Sequence, residues 1–418
     1  MNNPLVKKIL ITLGFLLVYR ILAYVTVPGV DLEVISKFFA DNDNNALGLY
    51  NMFSGNAVER LSIISLGIMP YITASIIMEL LAATFPALGA MKKERDGMVK
   101  YMQLIRYATI IITIVQAVFV AIGLQSLNGG NAIITGDMNT FIVTSTVGML
   151  TGTMLLMWIG EQITQRGVGN GISLIIFAGI VSAIPSAFGQ AITMVNENAI
   201  NPLEILGIFL LIIATVLVII YVELGERRIP VTYAKKVMMQ NQNKRVMNYI
   251  PVKVNISGVI PVIFASALLM FPITLLQSST NEVMKVISDF LNPNGYGFNV
   301  FTFFFVVFFA YFYTSIAFNA KDIADNLKKQ GGFIPGVRPG ESTKGYLNEV
   351  ASRLTFTGAI YLGLVATLPW VLVKLMGVPF AFGGTAVLIV VQVALDTMRK
   401  IEAQQYSSKY QTLSAVGL

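Results

Sequence analysis

The sequence contains no cysteine and no histidine among its 418 residues. Disulfide bonds are therefore excluded, as are metal sites built from thiolate or imidazole ligands and the two commonest nucleophile–base pairs of enzymes. Proteins without disulfides occur in every compartment, so this absence does not locate the protein. We expect no metal, no cofactor and no catalytic residue.

Charged residues are also scarce: they make up 12% of the chain, whereas about a quarter is usual in a soluble domain. Hydrophobic residues make up 55%, and the mean hydropathy is +0.71. The apolar stretches are roughly twenty residues long, enough to cross about 30 Å of hydrocarbon as helix. Lipid permits only helices or closed barrels, and runs such as IFLLIIATVLVII (208–220) do not alternate as barrel strands do. The composition predicts an all-α integral membrane protein.

Apolar windows separated by turn signals predict ten transmembrane helices. They lie near residues 9–28, 66–86, 103–124, 141–160, 172–189, 204–222, 257–276, 299–319, 354–375 and 380–396. The first window follows Lys7 and Lys8 as in a signal peptide, but it runs too long and no small-residue cleavage site follows. We therefore interpret it as a retained helix.

Lysine and arginine are distributed unevenly between the two sides of these helices. With the N-terminus inside, the inner segments hold 24 of the 29 basic residues, whereas the outer segments hold only Lys37, Arg60, Lys285 and Lys374. An excess of this kind is typical of cytoplasmic loops. Both termini are thus expected in the cytoplasm. The net charge of +7 could suggest a nucleic-acid partner, but its placement on the inner side of the helices argues against DNA.

Two inner loops, near residues 223–256 and 320–352, are long, basic and rich in turn residues. They are basic either because they are cytoplasmic or because they form a docking surface. Orientation needs only a few charges, and long loops rarely lack a role. A projecting basic surface suits a large acidic partner such as ribosomal RNA.

An internal repeat relates the second and seventh windows. Residues 67–75 (GIMPYITAS) align without gaps to residues 258–266 (GVIPVIFAS), with identity at five of nine positions. An offset of five helices inverts topology, so the chain divides into inverted halves, residues 1–190 and 191–418. Glycine followed by proline predicts a broken or kinked start of each helix beside a central pathway. Tight helix packing is the alternative explanation.

The segment 48–62 before the second window is too short and polar to cross a membrane. Its apolar residues are Leu49, Met52, Phe53, Val58 and Leu61. Such a segment lies either on the outer membrane face or folded back into the cavity. The residues alone favour the membrane face.

Ionisable residues inside the windows are few. Arg20 and Glu79 each lie near enough to an end to snorkel, and Glu161 and Glu223 are predicted on the loop side. No acidic pair lies midway through several windows, which argues against a proton- or sodium-coupled pump.

Six segments together resemble the SecY family, the large channel subunits of the Sec translocon. They are LYNMFSGNAVERLSIISLGIMPYITASIIMELL, TQRGVGNGISLIIFAGIV, ERRIPVTYAKK, KVNISGVIPVIFASALLMFP, GFIPGVRPGEST and FGGTAVLIVVQVALD, in this order from the first half to the last window. The resemblance implies ten helices in two inverted five-helix halves around an hourglass pore, with a lateral gate open to lipid. One departure is Glu79, where a neutral glutamine would fit the family.

The resemblance also assigns roles to individual residues. The implied pore ring is Ile68, Ile72, Ile172, Ile176, Ile263 and Ile389. The segment near 48–62 becomes a plug that includes Leu49, Met52, Phe53, Val58, Arg60 and Leu61, which reverses the preference for the membrane face. The lateral gate includes Thr73, Gln116 and Asn255, and the cytoplasmic docking residues are Arg227, Arg228, Lys235, Lys236 and Arg338. A ring of stiff, branched apolar side chains gives water no hydrogen bonds and resists ion passage.

The function implied by the resemblance is a protein-conducting channel in the cytoplasmic (inner) membrane of a bacterium. It passes unfolded secretory polypeptides across and releases transmembrane segments sideways into the lipid bilayer, driven by an external motor or the ribosome. The implied partners are the small membrane subunits SecE and SecG, the SecA ATPase, the ribosome, signal sequences and nascent polypeptides. The alternative is a secondary transporter, which the inverted repeat alone permits. A transporter needs polar ligands where the halves meet, whereas this sequence supplies isoleucine.

Overall fold

The structure is a computed structural model that describes residues 4–30, 32, 35, 51, 54–126, 137–196, 201–233, 248–277, 286–287, 290–292, 295–376 and 384–415. The helices within them are α1 (Pro4–Leu22), α2 (Met69–Thr84), α3 (Pro86–Lys93), α4 (Arg95–Ser126), α5 (Met138–Arg166), α6 (Gly171–Asn196), α7 (Pro202–Leu224), α8 (Ile260–Gln277), α9 (Tyr296–Ala317), α10 (Ala320–Lys329), α11 (Glu341–Met376) and α12 (Gly384–Ala415). The strands are β1 (Glu226–Tyr233), β2 (Asn248–Lys253) and β3 (Gly332–Phe333).

Each of the ten predicted windows overlaps one long helix, and α3 and α10 are additional short helices. The first window is shifted toward the N-terminus, because α1 ends at Leu22 and not near residue 28. The chain after α1 pairs with a later segment: Val27 N–H donates to the Leu61 carbonyl at 3.0 Å, and Ile63 N–H donates to the Val25 carbonyl at 2.9 Å. These hydrogen bonds satisfy backbone N–H and C=O groups that would be paired within the helix if α1 continued.

Length and hydropathy alone identify fewer spans than ten among the described residues. The stretches Asp96–Gly123, Met138–Arg166, Tyr296–Lys329 and Glu341–Leu368 are long and apolar enough to cross a membrane. Helices α2 and α3, bent by 114° at their junction, make a fifth candidate. Three shorter apolar helical stretches are Gly171–Ser186, Phe209–Leu224 and Ile260–Met270.

The helices surround one central hydrophobic cluster. In the first half, α4 packs against α2 and α5, and α5 also packs against α1 and α6. In the second half, α9 packs against α8 and α11, and α12 packs against α11 and α7. The two halves meet along two seams, one where α8 contacts α2 and α4, and one where α12 contacts α6 and α1. This arrangement is compatible with the predicted inverted halves, whose relation stays a prediction.

The two copies of the repeat begin their helices in the same way. Gly67 has a φ of +58° and Gly258 has a φ of +66°, a region in which only glycine is comfortable. Each helix begins two residues later, so Pro70 and Pro261 are both second residues of a helix. Proline is tolerated there because the first N–H groups have no acceptor inside the helix. The expected kink is thus a break just before each helix and not a bend within it.

The described residues of the two basic inner loops include strands and a helix, although both loops are rich in turn residues. Strand β1 lies between β2 and β3 in an antiparallel sheet, and α10 packs against α11 beside it. This unit has its own hydrophobic core: Ile229, Val231, Val252, Ala320, Leu327, Ile334 and Leu347. Apolar residues that alternate along β1 and β2 help to join the two loops, whose paired residues Thr232 and Phe333 are about 100 residues apart in sequence, in one unit that we call the projecting unit.

Candidate functional site

A small cavity lies where α2, α6, α8 and α12 converge. Five of the six isoleucines of the implied ring line it: Ile68, Ile72, Ile176, Ile263 and Ile389. The remaining lining residues are Ser54, Leu66, Gly67, Met69 and Ser266. The space between them is about 10 Å³, roughly what one water molecule needs. The described residues thus form a constriction that is nearly closed.

Helix geometry explains why the isoleucines converge. Ile72 and Ile263 are the fourth residues of α2 and α8, so equivalent starts place them at equivalent depths. The wall is almost entirely apolar, and Ser266 Oγ is occupied because it donates to the Val262 carbonyl of its own helix at 2.9 Å. Water in the constriction would therefore find few hydrogen-bond partners.

Ile172 does not line the cavity. It lies one helical turn before Ile176, in the first turn of α6, and is only half buried. Its Cγ1 would be 3.3 Å from a Cβ added at Gly160 of α5, so it packs between α5 and α6. The structure therefore brings together five of the six predicted ring residues.

The described part of the implied plug, residues 54–62, is packed into the bundle. We call it the closing segment. Val58 and Leu61 are 5% and 0% exposed and belong to the central cluster, and Arg60 stacks on Tyr24 with its Cζ 4.3 Å from the ring centroid. Asn56 and Leu61 have positive φ values, so these residues form irregular turns and not a regular helix. The predicted plug residues Leu49, Met52 and Phe53 lie outside the described residues.

The three predicted gate residues are buried but are not bonded to one another. Thr73, Gln116 and Asn255 are 3%, 6% and 3% exposed. Thr73 Oγ1 donates to the Met69 carbonyl of its own helix at 3.1 Å, and Gln116 Oε1 has no partner among the described residues. The expected polar bridge across the α2/α4–α8 seam is therefore not observed in the part of the chain that the structure describes.

Asn255 instead belongs to a buried polar cluster that the sequence did not reveal. Its Nδ2 donates to Glu223 Oε1 at 2.6 Å, and Gln392 Nε2 donates to Glu223 Oε2 at 3.2 Å. Arg399 donates to the Glu223 carbonyl oxygen at 3.1 Å. Glu223 is the second-last residue of α7, at the loop-side end as predicted, yet it is only 5% exposed and hydrogen-bonded rather than solvated. Its partners Gln392 and Arg399 are 169 and 176 residues away, which sequence spacing cannot reveal.

Two further carboxylates within the helices, Glu161 and Glu79, form ion pairs. Arg106 forms a two-pronged ion pair with Glu161, with both Nη2–carboxylate distances 2.8 Å. Lys92 of α3 pairs with Glu79 at 2.9 Å, which accounts for the carboxylate where glutamine was expected. These carboxylates therefore stabilise helix contacts. None of them lines the cavity.

The predicted docking residues lie on the projecting unit. Arg227 and Arg228 are exposed on β1, and Arg228 stacks on Tyr249 with its Cζ 4.9 Å from the ring centroid. Arg338 is exposed in the turn after β3, where its carbonyl accepts from Thr343 Oγ1 at 2.9 Å. Lys235 and Lys236 lie outside the described residues. The pairing of β1 with β3 places the three described arginines on one rigid unit.

Comparison of sequences gives a clear result. The family model described as SecY matches residues 62–398. The protein translocase subunit SecY of Helicobacter pylori is 67% identical over 419 residues, covering 100% of each chain. The protein translocase subunit SecY of Escherichia coli is 40% identical over 415 residues, covering 98% of this chain and 94% of that protein.

Comparison of structures gives the same fold. A protein-conducting channel superposes with a TM-score of 0.71 at 19% identity, covering 96% of this chain and 93% of the other. A structure concerned with the plug domain of the SecY protein gives 0.70 at 20% identity, and the channel of a canine ribosome–channel complex from the endoplasmic reticulum gives 0.68 at 18%, both with the same coverage. The overall fold of this chain is thus a known one.

Proposed function

Since this chain belongs to the SecY family, we propose that its isoleucine-lined cavity is the closed waist of a pore and that the closing segment seals the waist from the outer side. The chain is a protein-conducting channel subunit of the protein translocase, and it is not an enzyme. It has the family's all-helical membrane fold of ten transmembrane helices and is a multi-pass protein of the bacterial inner membrane.

The observation that carries the proposal is the convergence of five isoleucines around about 10 Å³ of space. A waist of this size excludes a hydrated ion, because the wall offers too few polar groups to replace the hydration shell. The same wall can still yield around an extended polypeptide, since apolar contact is not directional. Sealing and sequence-independent passage therefore need the same side chains.

The closing segment supports the seal from one side. Ser54 lines the cavity together with the isoleucines, and Val58 and Leu61 are anchored in the central cluster. One of the similar solved structures concerns a plug domain that stabilises the closed state of its translocation channel and maintains a membrane seal. We infer the same role for residues 54–62 here.

Lateral release of transmembrane segments is proposed at the seam where α8 contacts α2 and α4. Thr73 of α2 and Gln116 of α4 lie buried on one side of the seam, and Asn255 lies buried in the turn before α8 on the other. Without hydrogen bonds between the two walls among the described residues, helix packing holds the seam shut. An apolar signal sequence is therefore able to replace one packed surface with another.

The proposed partners are the ribosome and SecA at the projecting basic unit, with SecE and SecG against the membrane helices. A similar solved structure is a channel in a ribosome–channel complex, which supports the ribosome. The exposed Arg227, Arg228 and Arg338 supply positive charge of the kind that binds phosphate. Secretory polypeptides and their signal sequences are the proposed substrates.

Ion conductance of the purified channel in planar bilayers tests the waist. Ile72→Asn and Ile263→Asn each introduce a polar group into the constriction, and we expect the ion leak to rise. The control is Ile111→Asn, which introduces the same group at a 64% exposed position of α4 facing away from the cavity. Equal conductance of the waist variants and the control would contradict the proposal.

A further inference from the structure

Two consecutive residues at the outer end of α1 bind two consecutive carbonyl groups of the closing segment. Tyr19 Oη donates to the Ser54 carbonyl at 3.1 Å, and Arg20 Nη1 donates to the Gly55 carbonyl at 2.9 Å. The same Arg20 nitrogen donates to Ser182 Oγ of α6 at 3.1 Å. Side chains from two helices thus converge on one turn of the segment.

The turn is shaped to fit between these helices. Gly55 has a φ of +71°, and a Cβ added there would lie 2.9 Å from Tyr19 Oη, 3.0 Å from Ser182 Oγ and 3.1 Å from Gly179 Cα. A side chain at residue 55 would therefore push the segment out of the bundle. Only glycine permits both the backbone conformation and the close approach.

We propose that Tyr19, Arg20 and Ser182 form a latch that holds the closing segment in the closed position and sets how often the segment leaves it. The inference rests on the proposed sealing role of that segment. The latch binds main-chain carbonyls, so it recognises the position of the segment and not its side chains.

The chemistry of the latch suits a reversible closure. An arginine donates stronger hydrogen bonds than a neutral group, and stronger still away from water. Arg20 Nη2 also donates to Tyr24 Oη at 3.3 Å, and Tyr24 is exposed. When the segment leaves, the Arg20 guanidinium keeps its bond to Tyr24 and reaches the membrane surface. Opening therefore does not leave a buried charge without a partner.

Arg20 lies at a position where a basic residue without a function would be unusual. It lies two residues before the outer end of α1, whereas basic residues otherwise concentrate on the inner side. Ionisable side chains within spans are expensive and usually functional. The bond to Gly55 gives this arginine a function.

The rate of cysteine labelling tests the latch, because the natural chain has no cysteine. Ser54→Cys places one thiol at a position that is 4% exposed and bonded to the latch. In reconstituted vesicles, a membrane-impermeant maleimide added from the outer side modifies this thiol only when the segment opens. We expect Arg20→Met to raise the labelling rate about tenfold and Tyr19→Phe to raise it a few-fold.

Two controls separate the latch from a general loosening of the fold. Arg353→Gln removes an arginine from an exposed ion pair with Glu349 and is expected to leave the rate unchanged. Ala121→Cys, fully buried on α4, reports loosening elsewhere and is expected to label equally slowly with and without Arg20→Met. Tyr19→Phe removes a single hydroxyl, so it remains informative if Arg20→Met does not fold.

The outcomes of this experiment are distinct. An unchanged Ser54→Cys rate in both latch variants overturns the latch, and so does an equal rise at Ala121→Cys. Faster labelling of Ser54→Cys alone supports it. If labelling then rises without any rise in ion conductance, the latch stands, and it is the proposed seal that fails.

Discussion

Asn255 and Glu223 are joined by a hydrogen bond of 2.6 Å that ties the turn before α8 to the end of α7. The Glu223 carboxylate only accepts hydrogen bonds, and it receives one donor on each oxygen, from Asn255 and from Gln392 of α12. Asn255 Oδ1 in turn accepts from Ser257 Oγ at 3.0 Å and from Gly258 N–H at 3.1 Å. One buried carboxylate thus fixes the start of a helix that lines the cavity.

This arrangement predicts different outcomes for two substitutions at Glu223. Glu223→Ala removes one buried hydrogen bond each from Asn255, which keeps its bond to the Gly258 carbonyl, and from Gln392, so we expect the free energy of unfolding to fall by about 3 kcal/mol. Glu223→Gln still accepts from Asn255, and its new amide group faces Gln392, whose Oε1 has no partner among the described residues. Rotation of the Gln392 amide restores that bond, so the loss should stay below about 1 kcal/mol. Thermal unfolding in detergent measures both, and equal destabilisation would contradict the explanation.

Much of the membrane architecture could be predicted from the sequence because the signals are local. Apolar windows predicted all ten long helices, and the repeat predicted that Ile72 and Ile263 are equivalent. The buried cluster around Glu223 could not be predicted in the same way. A single carboxylate at the end of an apolar run is equally compatible with a solvated helix end. Its partners Gln392 and Arg399 are brought to it by the packing of α12 on α7.

The structure of the inner loops could not be predicted from the sequence either. Their charge predicted the side of the membrane, yet a strand of two residues, β3, gives no periodic signal of its own. Its pairing with β1, between Thr232 and Phe333, depends on a contact between loops separated by two transmembrane helices. The role of Arg20 was hidden similarly, because its acceptors are main-chain and hydroxyl oxygens that carry no sequence pattern.

The location of the closing segment predicts a specific cross-link. Ser54 and Ile72 line the same cavity, so the substitutions Ser54→Cys and Ile72→Cys, combined in one chain, should be joined by a short thiol-specific cross-linker in the resting channel. Electrophoresis after protease cleavage between the two positions measures the product. The pair Ser54→Cys and Ile111→Cys, with one thiol on an exposed face of α4, is the control. A segment lying on the membrane surface would give no more product than this control.

The projecting unit predicts a selective effect of charge reversal. Arg338 is exposed in a turn, and its main-chain carbonyl accepts a hydrogen bond from Thr343. Because this bond does not involve the side chain, Arg338→Glu leaves it in place. We expect SecA- or ribosome-dependent translocation into vesicles to fall severalfold while membrane insertion of the channel is unchanged. Lys100→Glu makes the same charge change on exposed α4 and should have little effect. Normal translocation by the Arg338→Glu channel would contradict the docking assignment.

Two glycines on α5 predict opposite responses to the same substitution. A Cβ at Gly152 would overlap the carbonyl oxygen of Ile63, where the chain leaves the closing segment. At Gly148, one turn earlier, the nearest atom would be Val27 Cγ2 at 3.5 Å, an ordinary contact. Helix propensity favours alanine by about 1 kcal/mol at both positions. The difference between the two variants therefore isolates the close approach of α5 to the segment.

We expect Gly152→Ala to lower the free energy of unfolding by about 2 kcal/mol, because backbone atoms of Ile63 cannot move aside without displacing the segment. Gly148→Ala should be neutral or slightly stabilising. Thermal unfolding of the two purified variants measures stability, and the labelling rate of Ser54→Cys in each background measures the position of the segment. The overlap at Gly152 should raise that rate, whereas Gly148→Ala should not. Equal stability and equal labelling of the two variants would mean that α5 does not support the closed position.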